Sequence, residues 1–236
     1  MAVIIPAILP KTFGELREKA EIAAQAVSTI QLDICDGIFV PNKTWPYTNG
    51  TDAEGDKNFA DILSEMQGLP SSDYLDYEID LMTANPLQDA KTWISAGAAR
   101  IIVHVESTPE PLEVIRRLYE EFSMPDSVAS VEIGAAIGHD TSLAVLDPLI
   151  PYLSVLQVMG IRRIGFQHQP FDPAAPGRVA ELRQKYPELI ISVDGGVSDD
   201  TERKLLQAGA DRLIVGSAIF DSGNPLASIE HFESLA

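Results

Sequence analysis

Three aspartates stand at the ends of apolar runs: Asp33 in TIQLDI, Asp80 in YEIDLM and Asp194 in ISVDGG. Side chains alternate along a strand, so Gln31, Asp33 and Cys35 share one face, and Glu78, Asp80 and Met82 share another. Carboxylates converging from separate strands can move protons on a bound molecule or hold a cation between them. Three of them within a few ångströms cannot all stay ionised cheaply; without a cation, at least one takes up a proton near neutrality. A lone strand-end Asp often serves only to cap the next helix or loop, and that reading stays open for Asp80.

Something must bring these ends together. Strand-like runs cover residues 2–9, 29–34, 74–82, 100–105, 131–137, 153–159, 189–195 and 211–217, and between them lie segments with apolar residues at three- and four-residue spacing. Asn85-Pro86 has the N-cap and N1 pattern of a helix start, Ser198 with Asp199 and Asp200 opens another helix, and Gly97 and Gly209 fall where helices end. The count is eight strand–helix units with no linker or composition break. The expectation is one domain over 1–236, an α/β chain closed into a (β/α)8 TIM barrel. An open doubly wound sheet competes less well, because no Gly-x-Gly-x-x-Gly follows the first strand. In a barrel, the site lies at the C-terminal strand ends.

Composition narrows the partners. With 17 basic against 35 acidic residues, the formal charge is −18, which argues against nucleic acid or an anionic membrane as a partner. A phosphate would have to be held by local devices such as helix N-termini and glycine loops. Cys35 is the single cysteine, so there is no intrachain disulfide framework. The N-terminal apolar run lacks a basic flank and is interrupted by Pro6 and Pro10, and no stretch reaches ~20 uninterrupted apolar residues. A soluble, cytoplasmic protein is expected.

The motifs carry a resemblance. QLDICDGIFVPN is similar to the second-strand signature of ribulose-phosphate 3-epimerases. So are PAILP at the start, EIDLM-x-x-NP at strand three, HVE at strand four, VM then GF at strand six, SVDGGV at strand seven and VGSAIF at strand eight. The similarity runs in order over essentially the whole chain. It implies a ribulose-phosphate-binding barrel in which Asp33 and Asp194 are the acid–base pair. The implied reaction removes the proton beside a ketone and returns one to the opposite face, which needs one ionised and one protonated group. It further implies interconversion of D-ribulose 5-phosphate and D-xylulose 5-phosphate in the pentose phosphate pathway, a homo-oligomer, and a divalent metal that neutralises the enediolate oxygens. Met82 and Met159 match positions beside the reacting carbons, or are ordinary core filler.

The departures are specific. Two metal ligands of the family are histidines, replaced here by Gln31 and Asp80. The remaining set, Gln31, Asp33, Asp80 and Asp194, offers only oxygen, so the resemblance implies Mg²⁺ or Mn²⁺ before Zn²⁺, or a site that no longer binds metal. Ala7 stands for a serine and Cys35 for a methionine; Cys35 reads as a small buried hydrophobe. At the phosphate end, Gly165, Gly195, Gly196, Gly216 and Ser217 match loops that bind phosphate through backbone N–H groups. The strand-six loop carries Gln167 and His168 in place of two glycines and is one residue longer. Arg162, Arg163 and His168 either grip an anion there or form a solvated face. The loop after strand two is longer than the family's, a lid with Lys43, Trp45 and Tyr47 on the substrate or a disordered insertion. His104 reads as a barrel-interior histidine, while Glu78 and Glu132 could add charge to the mouth. Aldolase and decarboxylase relatives carry Asp-x-Lys-x-x-Asp on strand three, and DYEID has no lysine. Two alternatives remain: epimerisation of another ketose phosphate, such as a hexulose 6-phosphate, and a non-catalytic sugar-phosphate-binding descendant.

Overall fold

A computed structural model describes residues 2–50, 52–124, 127 and 130–235. Eight parallel strands close into a barrel in chain order. They are β1 (Val3–Ile8), β2 (Thr29–Cys35), β3 (Asp76–Met82), β4 (Arg100–His104), β5 (Glu132–Ile137), β6 (Val155–Met159), β7 (Ile190–Asp194) and β8 (Arg212–Val215). The helices are α1 (Phe13–Ala23), α2 (Lys57–Leu63), α3 (Pro86–Ser95), α4 (Pro111–Phe122), α5 (Ala175–Lys185), α6 (Asp199–Ala208), α7 (Ser217–Phe220) and α8 (Pro225–Leu235). No described helix is long and apolar enough to cross a membrane.

Local chemistry sets the boundaries. The Thr12 side chain accepts the Glu15 amide at 3.1 Å and starts α1. Ser198 and Thr201 form a reciprocal cap at α6, and Gly209 ends that helix in the left-handed region. Pro86 opens α3 as the spacing predicts, although the Asn85 side chain makes no capping bond. One expected unit differs. Between β5 and β6 there is no α-helix, only 3₁₀ turns at Leu143–Leu146 and Ile150–Tyr152. Pro148 and Pro151 remove backbone donors in that short segment. Leu146 and Leu149 are nevertheless fully buried there.

Period-two alternation divides the barrel cleanly. Ile30, Leu32 and Ile34 of β2 and Tyr77, Ile79 and Leu81 of β3 join the apolar layer that also includes residues of the helices. The alternate positions face inward, and many are polar: Gln31, Glu78, Asp80, His104, Gln157, Ser192 and Asp194 are all buried. Burying polar groups inside a barrel costs stability unless they are paired, so what each one meets decides its role.

Candidate active site

The parallel register of β2 and β3 sets Asp33 beside Asp80. Asp194 is the last residue of β7, on the other flank of β1 and β8. One carboxylate oxygen from each of the three lies within 4.8 Å of the others. Gln31 Nε2 donates to Asp33 Oδ1 at 2.8 Å, and Gln157 Nε2 donates to Asp194 Oδ2 at 3.5 Å. Both oxygens of Asp80 and the Oε1 atoms of Gln31 and Gln157 are buried and receive no hydrogen bond.

The electrostatics follow from this crowding. Burial, then the Asp80 charge, lifts the Asp33 pKa to about 8 against the pull of the Gln31 hydrogen bond. Burial followed by the Asp33 and Asp80 charges holds Asp194 well above the usual carboxylate range. Burial works against an ionised His104, yet the Asp80 carboxylate 3.0 Å away, with Glu106 and Asp33 beyond, raises its pKa overall. Without a cation, then, the cluster retains protons at neutral pH. It can also hold a divalent cation: three carboxylates converge, and buried oxygens beside them lack donors.

A cavity opens above the cluster. Asp33 and Asp194 line it, with Met82 and Met159 on its walls and Gly165, Gly195, Gly196, Gly216 and Ser217 around one end. Gln31 and Asp80 are fully buried and lie outside the lining. Gly195 and Gly196 adopt φ of 96° and 69°, and a Cβ on Gly196 would meet Phe171 Cα at 2.9 Å, so this close turn requires glycine. Gln167 and His168 also line the cavity, and His168 keeps a left-handed backbone (φ 58°) where the resembled loops have glycine.

Packing decides between readings that the sequence leaves open. Arg162 and Arg163 do not line the cavity: Arg162 Nε lies 3.6 Å from Asp172, and Arg163 stacks 4.1 Å over the Phe166 ring. The loop after β2 is packed, with turns at Tyr47–Asn49 and Ala53–Gly55 and no lining contact from Lys43, Trp45 or Tyr47. Trp45 is buried against Phe13, Phe59 and Trp93, Tyr47 donates to Asp89 at 3.0 Å, and Lys43 Nζ reaches Gly50 O at 2.7 Å. The loop reaches the cavity lining indirectly, through Asn42, which donates to Gly165 O at 2.5 Å. Glu78 and Glu132 sit toward the N-terminal ends of their strands, both bonded to Arg100, and neither lines the cavity; the Glu78 charge still adds a small upward push on Asp33 and Asp194, whereas Glu132 adds none. Cys35 is buried, and burial pushes its thiol pKa far up, the state of an inert thiol. Sequence reading missed Gln157; the signal was an amide interrupting VLQVM at period two from Met159.

A closed eight-strand barrel whose mouth joins a carboxylate cluster to a glycine-lined cavity defines a (β/α)8 barrel enzyme. The comparisons place it more narrowly. The model of the Ribulose-phosphate 3 epimerase family matches residues 3–220, and the chain belongs to that family. Relatives named ribulose-phosphate 3-epimerase occur in Eremothecium gossypii (28% identical, covering 92% of this chain and 86% of the relative) and Mycobacterium tuberculosis (26%, covering 96% and 90%). Two solved barrels share the fold. KGPDC from Streptococcus mutans superposes with a TM-score of 0.67 at 15% identity, covering 99% of this chain and 96% of that one. The 3-hexulose-6-phosphate synthase from Salmonella typhimurium superposes at 0.67 and 14%, covering 100% and 98%.

Proposed function

We propose that the protein interconverts D-ribulose 5-phosphate and D-xylulose 5-phosphate, with Asp33 and Asp194 as the opposing acid and base. The observation that carries this reading is that two carboxylates from β2 and β7 enter one cavity, their protonation favoured by burial and by the charge of Asp80. Inverting a carbon needs a base on one face of the substrate and an acid on the other. When the first aspartate takes the proton beside the ketone, the carbon flattens; the second then delivers its own proton from the far side. Each direction of the reaction exchanges their roles.

The other residues bind and orient. Gln31 and Gln157 each hold one of the two aspartates by an amide donor, which limits carboxylate rotation. Met82 and Met159 pack against the flattened carbons and keep water from them. Gly195, Gly196, Gly216 and Ser217, with Gly165, would surround the phosphate with backbone, a grip that does not depend on the chain's unfavourable net charge. Asp33, Asp80, Asp194 and Gln31 would hold the cation, Mg²⁺ or Mn²⁺ by their oxygen-only chemistry. A cation bound there supplies positive charge for the substrate oxygens that become negative as the proton leaves. Gln167 and His168 at the phosphate end favour a second reading, in which a different ketose phosphate is epimerised by the same pair.

Incubation with D-ribulose 5-phosphate in D₂O, with and without Mn²⁺ or Mg²⁺, tests the assignment. The expected result is D-xylulose 5-phosphate carrying solvent deuterium at the inverted carbon. No exchange and no turnover with either cation, across pentulose and hexulose phosphates, would leave the non-catalytic descendant as the reading.

A further inference from the structure

One buried histidine has no part in that mechanism. His104 is the last residue of β4, is fully buried and lines no part of the cavity. Its Nε2 lies 3.0 Å from Asp80 Oδ1 and its Nδ1 lies 3.9 Å from Glu106 Oε2. Glu106 is itself anchored, because its Oε1 accepts the Gly138 amide at 2.7 Å and the Thr141 hydroxyl. The Phe39 ring leans on the imidazole with centroids 5.7 Å apart. Ring, carboxylate and loop thus form a braced file running away from the site behind Asp80.

Asp80 needs such a brace. Its two oxygens are buried and take no well-aligned hydrogen bond from any described residue, whereas Asp33 and Asp194 each have an amide donor. A carboxylate with nothing to fix its rotation presents either oxygen, or neither, to its neighbours. An N–H group 3.0 Å from Oδ1 favours one rotation of the carboxylate and leaves Oδ2 unengaged. Groups behind a metal's ligands set their direction in this way.

We propose that His104 is a positioning residue for the cation site: it fixes the rotation of Asp80, and Glu106 fixes His104 in turn. This rests on the reading of Gln31, Asp33, Asp80 and Asp194 as an oxygen cation site. Where the resembled family has an imidazole on strand three, this chain has a carboxylate there, set in front of the histidine of the shared HVE motif on the adjacent strand.

Two substitutions separate positioning from packing. Gln can place its amide nitrogen where the imidazole Nε2 lies and keep the Asp80 contact; Asn reaches only the Nδ1 side, toward Glu106. Mn²⁺ affinity is read by calorimetry on the full chain, with the melting temperature in chelator as the measure of packing. His104→Asn is expected to weaken Mn²⁺ about 10–100-fold. His104→Gln is expected to bind within about threefold of wild type, although both variants lose melting temperature in chelator. Equal affinities in all three proteins, equal losses in both variants, or the greater loss in His104→Gln would overturn the proposal. Wild-type chain provides a measurement independent of variant folding: the ¹⁵N ring signals of His104 should shift when Mg²⁺ saturates the site, and those of exposed His231 should not. An unmoved His104 signal overturns the proposal. Wild type that binds neither Mn²⁺ nor Mg²⁺ overturns the cation reading and this inference with it, whereas normal binding in His104→Asn overturns this inference alone.

Discussion

The two ends of the barrel bury carboxylates in opposite ways. Toward the N-terminal ends of the strands, Glu78 is fully buried, with Arg100 Nη1 at 2.5 Å and Arg212 Nη1 at 3.7 Å; Arg100 also reaches the half-exposed Glu132. Burial raises the Glu78 pKa, but the charge and hydrogen bond of Arg100 and the charge of Arg212 oppose it. At the C-terminal ends, three aspartates share one small region, with His104 as the basic side chain paired to them. A structural ion network brings its countercharges with it, because an unpaired buried charge is strongly destabilising. A site with fewer countercharges than carboxylates is arranged for something that arrives: a proton, a cation or a substrate. Electrostatic imbalance, not the number of charges, separates the working end from the structural end.

The sharpest way to break this comparison is to neutralise each end in turn. Asp33→Asn and Asp194→Asn should each lower kcat/KM for the ketose phosphate by about a thousandfold, the scale of losing a general acid or base. Either variant should still fold, since the amide relieves crowding instead of creating it; initial rates and circular dichroism check both halves. The opposite end should reverse the pattern. Arg100→Leu strips Glu78 of its nearest cation and should cost about 3 kcal/mol of stability by urea unfolding, with kcat/KM per folded molecule unchanged.

A smaller effect sharpens the same contrast through pH. Asp33 is protonated more readily in the folded chain (about 8) than in an unfolded one (3.8), so in chelator its contribution to stability is greatest at low pH. That contribution is lost as pH rises from about 4 through about 8. Wild type and Asp33→Asn should therefore melt alike near the bottom of that window and diverge upward, the variant becoming the more stable at its top. Saturating Mn²⁺ should close the gap by stabilising the ionised wild type. Paired melts across the window, with and without cation, would sink the account if the gap ran the other way. The smallest effect lies outside both ends. Tyr47→Phe removes the hydrogen bond to Asp89 and should cost about 1 kcal/mol with KM unchanged, because Tyr47 belongs to the outer packing.

Much of this was legible from residue order. The eight apolar runs locate the strands to within a few residues, since burial on both faces leaves a composition signal. Aspartates ending three of those runs point to the mouth, and glycines at 195, 196 and 216 mark the close turns that line the cavity. The missing helix between β5 and β6 shows where counting units goes further than the residues permit: two prolines in a short segment leave only 3₁₀ turns. Trp45 and Tyr47 show a second kind of failure. Their place in a long loop at the mouth suggested contact with a ligand, yet large aromatic rings are most stable where they bury their area: Trp45 packs against Phe13, Phe59 and Trp93, and Tyr47 is buried with its hydroxyl on Asp89.

Alternation along each strand determined, from sequence alone, which residues share a face, because successive side chains must point to opposite sides of a pleated chain. It also put oxygen, and no imidazole, at positions 31, 33, 80 and 194. What alternation cannot determine is which layer of the barrel a side chain occupies, or what stands across from it. Closure of the ring and the stagger between strands sent Glu78 to a pair of arginines and Asp80, only two residues further on, to two other aspartates and a histidine. Charge interactions depend on distance through space, and for residues drawn from separate strands that distance exists only once the barrel has closed.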